Sequence, residues 1–181
     1  PFNRLKILYI FAEVRYHSLQ RRIQMSNLKT NAMRILDKHK IAYKTYCYAN
    51  TNAISGVDVA STLNQNPAQV FKTLVTTAKS GNHYVFMLPV AEELDLKKAA
   101  LAVNEKSVEM LKQKDLQPLT GYVHGGCSPI GMKKQFKTII HHTAQNFPTI
   151  IFSAGHIGYQ IELALTDLIS VIPLGTADII V

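Results

Sequence analysis

Residues 71–90, FKTLVTTAKSGNHYVFMLPV, decide the fold of this chain. Two runs rich in β-branched and aromatic residues flank the turn-forming segment KSGN, and this pattern predicts a β-hairpin. Lys72 is unusual, because it places a long cation among side chains that fill sheets. The stretch alone favours an edge lysine that keeps its ammonium in water. The alternative is a lysine directed into a cleft, where it holds an anion or a developing negative charge.

Short helices and strands alternate on both sides of the hairpin. Thr30 and Ser55 are predicted N-caps, Asn66 precedes a proline at a first helical position, and Thr166 is the predicted cap of the last helix. The remaining helices are predicted for residues 94–103 and 106–113, and the strands outside the hairpin for residues 43–48, 136–142, 148–154 and 159–164. This order predicts one α+β domain with a mixed, largely antiparallel curled sheet or partial barrel surrounded by short helices, in preference to a doubly wound parallel sheet.

Composition limits the classes of protein. The chain has 181 residues, of which 47% are hydrophobic and 18% charged, which is typical of a soluble globular domain. No apolar run approaches the roughly 20 residues that span a bilayer. Two cysteines without a Cys/His cluster indicate reduced thiols in a cytoplasmic protein and no zinc site. The net charge of +8 suits an anionic partner such as RNA.

The first 24 residues differ in character from the rest. They are rich in basic side chains, and Met25 followed by SNLKTNAMRIL has the pattern of a natural start. We therefore expect residues 1–24 to be a dispensable extension, and a candidate for non-native sequence. Residues 25–181 form the predicted domain.

The segment HGGCSPIG, residues 124–131, is the most unusual loop. Paired glycines let a backbone approach a ligand closely and turn its N–H groups toward an anion. The simpler alternative is an ordinary turn between strands. Elsewhere, the adjacent His141 and His142 are expected to point to opposite faces of a strand, which argues against a paired metal site. Tyr46 and Tyr48 share a face, which is either a stacking platform or core.

Six segments follow one another in the order seen in a known enzyme family: NPAQVFKTLV, LDLKKAALAV, VEML, LTGYVHGGCSPIG, PTIIFSAGHIGYQIELALTDL and the closing ADI. Together they resemble the YbaK/EbsC family, whose free-standing Cys-tRNA(Pro) deacylases are related to the editing domains inserted in bacterial prolyl-tRNA synthetases. The likeness runs from about Thr30 to Ile179.

The resemblance also implies the site. The family's indispensable lysine, in its VxKTL segment, falls on Lys72. The glycine pair whose backbone faces the aminoacyl carbonyl falls on Gly125 and Gly126, so these three are the expected catalytic residues. Gln160 stands where some Cys-specific members carry Asp, which weakens charge-based recognition there. The expected substrate-binding residues are Tyr48, Thr73, Ser128, Pro129 and Gln160.

The implied activity is trans-editing, the hydrolysis of the ester that joins a wrong amino acid to the tRNA 3′ ribose. The resemblance implies that the substrate cysteine's own thiol attacks its carbonyl, with no cofactor and no metal. The expected partner is mischarged tRNA, with prolyl-tRNA synthetase a further candidate and no membrane involved. Two alternatives stay open: editing of another mischarged tRNA, of the Ala or Ser type, and a non-catalytic regulatory module with the same fold.

Overall fold

The computed structural model describes residues 29–181, so the extension at residues 1–24 lies outside the described residues. Within that range the chain forms five α-helices, one 3-10 helix and eight strands. In chain order they are α1 (Asn31–Lys38), β1 (Lys44–Cys47), α2 (Gly56–Thr62), β2 (Phe71–Ala78), β3 (His83–Pro89), α3 (Leu96–Ala102), β4 (Val108–Met110), α4 (Gln113–Thr120), β5 (Lys137–His141), the 3-10 helix (His142–Asn146), β6 (Ile150–Ser153), β7 (Tyr159–Leu163), α5 (Leu165–Val171) and β8 (Leu174–Ala177).

The larger sheet has five strands in the order β4-β2-β3-β5-β8 and is built on the predicted hairpin. β2 and β3 pair antiparallel along their length, with Phe71 opposite Pro89. β4 pairs antiparallel with β2 only at Thr76–Ala78, whereas β5 and β8 add parallel strands beyond β3. The first half of β2 therefore has no β4 neighbour on its outer edge.

The smaller sheet is antiparallel, in the order β1-β7-β6. An isolated parallel bridge between Val70 and Ile151 joins it to the start of β2. Neither sheet closes into a barrel. The prediction of a single α+β domain with mixed, largely antiparallel strands and short helices is confirmed.

The main core lies where the two sheets meet. Phe71 and Met87 of the larger sheet pack in one cluster with Phe152 and Ile161 of the smaller sheet, and α1 covers this cluster with Leu36. Complete burial of such a side chain stabilises the fold by about 1.5–3 kcal/mol. A second cluster packs α3 against the other face of the larger sheet. Buried contacts on both faces therefore hold β2 in place.

Two predicted helix starts are confirmed by their caps. The Thr30 hydroxyl accepts a hydrogen bond from the Met33 N–H at 3.2 Å. Ser55 and Asp58 form a reciprocal capping box at the start of α2. Thr166 is not a cap, because α5 begins at Leu165 with Ala164 as an N-cap that makes no side-chain hydrogen bond.

Two other predicted helices are wrong. Residues 106–113 form β4 and lead into α4, because Val108–Met110 pair with the end of β2 and tertiary pairing outweighs local preference. Asn66 begins a turn, in which its side chain accepts from the Ala68 N–H at 3.1 Å. This turn delivers the chain to the bridge at Val70.

None of the helices among residues 29–181 combines the length and the apolar character needed to cross a membrane.

Candidate active site

A cavity of about 440 Å³ lies along the open edge of β2, and we call it the β2 cavity. Its walls come from β2, the start of α2, the segment between β4 and α4, the glycine loop, and the adjoining ends of β6 and β7. The edge of β2 is open here because β4 pairs only with residues 76–78 and β6 bridges only to Val70. Five of the eight predicted site residues line it: Tyr48, Lys72, Thr73, Gly125 and Gln160.

Lys72 is half-buried in this wall. Its Nζ donates to the Val90 carbonyl oxygen at 3.3 Å, and among residues 29–181 it makes no ion pair within 4.0 Å. Burial lowers the pKa of Lys72 below its ordinary value, while the negative charges of Glu93 and Glu92 oppose the shift. An ammonium has three N–H donors, so Lys72 keeps two for a ligand.

Thr73 follows Lys72 in β2 and also lines the cavity. Its Oγ1 is buried and has no hydrogen-bond partner among the described residues. A buried polar atom without a partner costs about 1–3 kcal/mol, so such an atom beside a cavity marks a position where a ligand can supply the missing bond.

The glycine loop places its two glycines differently. Gly125 has a φ of +80°, which favours glycine, and it lines the β2 cavity. The Gly126 N–H instead donates to the Val123 carbonyl oxygen at 3.0 Å, which closes a turn. A Cβ on Gly126 would lie 3.1 Å from the Ile157 backbone nitrogen, so Gly126 lets two loops pack closely. Of the pair, only Gly125 faces the cavity.

Ser128 and Pro129 do not line the β2 cavity. Ser128 is fully buried, and its Oγ accepts from the Ile130 N–H at 3.3 Å. Pro129 lines a second cavity of about 210 Å³, beside Ile35 and His39. Neither residue is therefore among those that line the β2 cavity with Lys72.

The two tyrosines that were predicted to share a face have different environments. Tyr46 lies in β1 and donates its hydroxyl to the carboxylate of Glu162, so it belongs to a part-buried hydrogen-bond network. Tyr48 lies just after β1 and is half-buried in the cavity wall. Its backbone N–H donates to the Gly158 carbonyl oxygen at 2.8 Å, which fixes its position.

Gln160 of β7 is buried against the cavity and is held by a second glutamine. Gln65 Nε2 donates to Gln160 Oε1 at 3.0 Å, which leaves the amide nitrogen of Gln160 for a ligand. Gln65 Oε1 is itself buried without a hydrogen-bond partner among the described residues. Sequence reasoning missed Gln65, since nothing in its local pattern connects it with β7.

Cys127 lines the same cavity, although it is largely buried. Burial raises the pKa of its thiol to about 12. The thiol is therefore protonated at neutral pH, and a protonated thiol is a poor nucleophile.

The expectation that His141 and His142 point to opposite faces is wrong. β5 ends at His141 and the 3-10 helix begins at His142, so the strand alternation stops between them. The ring centroids lie 4.3 Å apart, and their nitrogens and the Asp178 carboxylate lie within 4.8 Å of one another. Lys98 already pairs with Asp178 at 2.9 Å, and neither histidine lines the β2 cavity.

Sequence reasoning missed Glu92 and Glu93, which come shortly after the end of β3 at Pro89. The negative charges of both residues raise the pKa of Lys72. The register of the hairpin could have predicted this proximity. It places Val90 opposite Val70 and so brings Glu92 and Glu93 close to the start of β2.

The profile of the aminoacyl-tRNA editing domain matches residues 51–171. A curated protein of Enterococcus faecalis, EbsC, is 49% identical over 143 residues, which is 78% of this chain and 87% of that protein. Its name describes it as a candidate Cys-tRNA(Pro)/Cys-tRNA(Cys) deacylase.

Solved structures with low sequence identity share the fold. A candidate trans-editing enzyme for prolyl-tRNA synthetase aligns with a TM-score of 0.71 at 19% identity, covering 85% of this chain and 99% of that one. A hypothetical protein aligns with a TM-score of 0.73 at 15% identity, covering 81% of this chain and 96% of that one.

Proposed function

Since the chain belongs to the aminoacyl-tRNA editing domain family, we propose that it is an aminoacyl-tRNA deacylase that acts in trans on mischarged tRNA. Cys-tRNA(Pro) is the proposed substrate, which agrees with the name of the relative that is 49% identical. The observation that carries the proposal is the half-buried ammonium of Lys72 on the wall of the β2 cavity, which makes no ion pair within 4.0 Å among residues 29–181. Because such an enzyme works on tRNA, the proposed location is the cytoplasm.

The proposed reaction uses the substrate's own nucleophile. The cysteine sulfur, as it loses its proton, attacks the carbonyl carbon of its ester. The bond from this carbon to the ribose oxygen then breaks, the ribose oxygen takes up the proton, and the amino acid leaves as a cyclic thiolactone. This scheme suits a cavity whose own thiol, Cys127, is held protonated by burial.

Lys72 acts by charge in this scheme. Its two available N–H donors either stabilise the oxyanion that forms on the carbonyl oxygen or hold the ribose and terminal phosphate. Gly125 is proposed to bring its backbone to the acyl group, and Thr73 and Tyr48 to line the bound substrate. The amide nitrogen of Gln160 is proposed to donate a hydrogen bond to the substrate. The Asp that some family members carry at this position would instead accept a hydrogen bond from the ammonium group of the substrate amino acid.

The mechanism also accounts for selectivity. A small pocket distinguishes side chains that differ by one methylene by only about 1–3 kcal/mol. A reaction that requires a thiol on the substrate adds discrimination that packing cannot supply. Prolyl-tRNA synthetase remains a proposed partner, because a site built around the aminoacyl group reads little of the tRNA.

The test is a deacylation assay with wild-type protein on a panel of charged tRNAs. We expect rapid loss of cysteine from Cys-tRNA(Pro) and little loss of proline from Pro-tRNA(Pro). Faster action on Ala- or Ser-tRNA(Pro) would reassign the substrate. No deacylation of any member, with or without the synthetase, would contradict the enzymatic proposal and favour a regulatory module.

A further inference from the structure

Two histidines and an aspartate lie together at the end of β5, and we call His141, His142 and Asp178 the histidine cluster. One nitrogen of each ring and one oxygen of the carboxylate all lie within 4.8 Å of one another. Strand pairing creates the cluster, because His141 lies opposite Ala177 of β8 and Asp178 follows Ala177 directly. None of the three lines the β2 cavity, so the cluster is separate from the candidate active site.

The Nδ1 atom of His141 faces Asp178 with a lone pair. It accepts a hydrogen bond from the Ile179 N–H at 3.3 Å, so the ring carries its proton on Nε2. Nδ1 also lies 3.8 Å from Asp178 Oδ1, whereas Asp178 Oδ2 accepts from Lys98 Nζ at 2.9 Å. Burial lowers the pKa of His141, which favours this neutral ring. An imidazole nitrogen and a carboxylate oxygen thus face each other as two acceptors.

The distance between these two acceptors suits a zinc ion. Bonds from zinc to imidazole nitrogen and carboxylate oxygen are about 2.0–2.2 Å long, so two such ligands of a tetrahedral ion lie about 3.4 Å apart. The observed 3.8 Å between His141 Nδ1 and Asp178 Oδ1 needs only a small inward movement. His142 is exposed, and its ring centroid lies 4.3 Å from that of His141. A rotation of its side chain therefore supplies a second imidazole.

We propose that the histidine cluster binds a Zn²⁺ ion, with water as the fourth ligand. The ion joins the end of β5 to the segment that follows β8, so its binding stabilises the folded chain. Lys98 opposes binding, because its ammonium already pairs with Asp178, and the site is therefore reversible. This inference does not depend on the proposed function, since no residue of the cluster lines the β2 cavity.

The test uses reduced, full-length protein that has been freed of metal with a chelator. The variants His142→Ala and Asp178→Asn each remove one ligand, and both residues are exposed, so the fold should tolerate the changes. The matched control is His39→Ala, which removes an exposed histidine at the C-cap of α1, outside the cluster. Circular dichroism without zinc confirms that each protein is folded. Zinc affinity is measured by competition with a chromophoric zinc indicator, and melting temperature is measured with and without zinc.

We expect His142→Ala and Asp178→Asn to weaken zinc binding at least about tenfold, because even the loss of a group that only orients a ligand costs this much. Zinc at ten times its Kd should raise the melting temperature of wild-type protein by about 3–6 °C, and that of the two variants much less. His39→Ala should behave as wild type. Lys98→Met should bind zinc more tightly, because it removes a positive charge beside the site.

NMR of the histidine ring nitrogens identifies the ligands directly. Zinc should shift the signals of His141 and His142 and leave those of His39 unchanged. Failure of wild-type protein to bind zinc would overturn the proposal. Equal zinc affinity of wild-type protein, His142→Ala and Asp178→Asn would also overturn it, because the ion would then be held elsewhere, for example by the exposed Cys47. Weaker binding by Lys98→Met would contradict the place of Asp178 in the site.

Discussion

Replacement of Lys72 tests the assignment of the active site. The contacts of Lys72 in the structure set the change in stability that the replacement should cause. The ammonium makes one hydrogen bond, to Val90 at 3.3 Å, and among the described residues it makes no ion pair. A net contribution of about 0.5–1.5 kcal/mol for such a bond makes the loss of stability small. Lys72→Met keeps most of the aliphatic stem that covers the cavity wall, so its stability should change even less than that of Lys72→Ala.

The loss of activity should be much larger than the loss of stability. Removal of one preorganised oxyanion donor lowers kcat by about 100- to 1000-fold, and we expect this range for both Lys72→Ala and Lys72→Met. Lys72→Arg should also be badly impaired, because a planar guanidinium cannot occupy the position of a compact ammonium. The assay is single-turnover release of cysteine from Cys-tRNA(Pro).

The matched control for these variants is Lys79→Ala, which removes an exposed lysine from the turn of the same hairpin. It should keep wild-type activity and melting temperature. A folded Lys72→Ala protein with full deacylase activity would refute the assignment of Lys72, and with it the reading of the β2 cavity as the site of the reaction.

The remaining predictions concern other parts of the domain. Cys127→Ala should keep most of the activity, because burial raises the pKa of its thiol to about 12; a covalent acyl-enzyme trapped on Cys127 would show the opposite. Glu93→Gln removes a charge that raises the pKa of Lys72, so Lys72 should lose its proton at a lower pH, as followed by NMR of the lysine side chain; an unchanged or raised pKa would contradict the electrostatics of the cavity. Deletion of residues 1–24 should leave melting temperature and deacylation nearly unchanged, and a large loss of either would show that the extension is part of the domain.

Local sequence patterns predicted the elements whose signals are complete within a few residues. The hairpin around Lys72 and the caps at Thr30 and Ser55 are confirmed, because turn chemistry and capping act over short distances. β4 was missed because its strand conformation depends on pairing with Thr76–Ala78, which lie about 30 residues away in the chain.

The candidate site likewise combines a residue that the sequence could single out with residues that only the folded chain relates to it. The sequence singled out Lys72 as a misplaced cation, but the resemblance, and not any local pattern, gave it a role. The structure then brought together Lys72 and Gln160, which are distant in the chain, whereas Ser128 is buried and does not line the cavity. Gln65 and Glu93 were missed because Gln65 acts through a hydrogen bond to Gln160 and Glu93 through its charge on Lys72, and only the folded chain shows these interactions.

A comparison of Cys-tRNA(Pro) with Ser-tRNA(Pro) tests the central claim most directly, because the two substrates differ by one atom, sulfur or oxygen, at the proposed nucleophile. The measurement is the single-turnover rate of each reaction with wild-type protein, together with mass-spectrometric identification of the product from Cys-tRNA(Pro). Our account predicts a thiolactone from the cysteine substrate and a much slower reaction of the serine substrate. Equal rates, with free cysteine as the first product, would contradict a reaction driven by the substrate's own thiol.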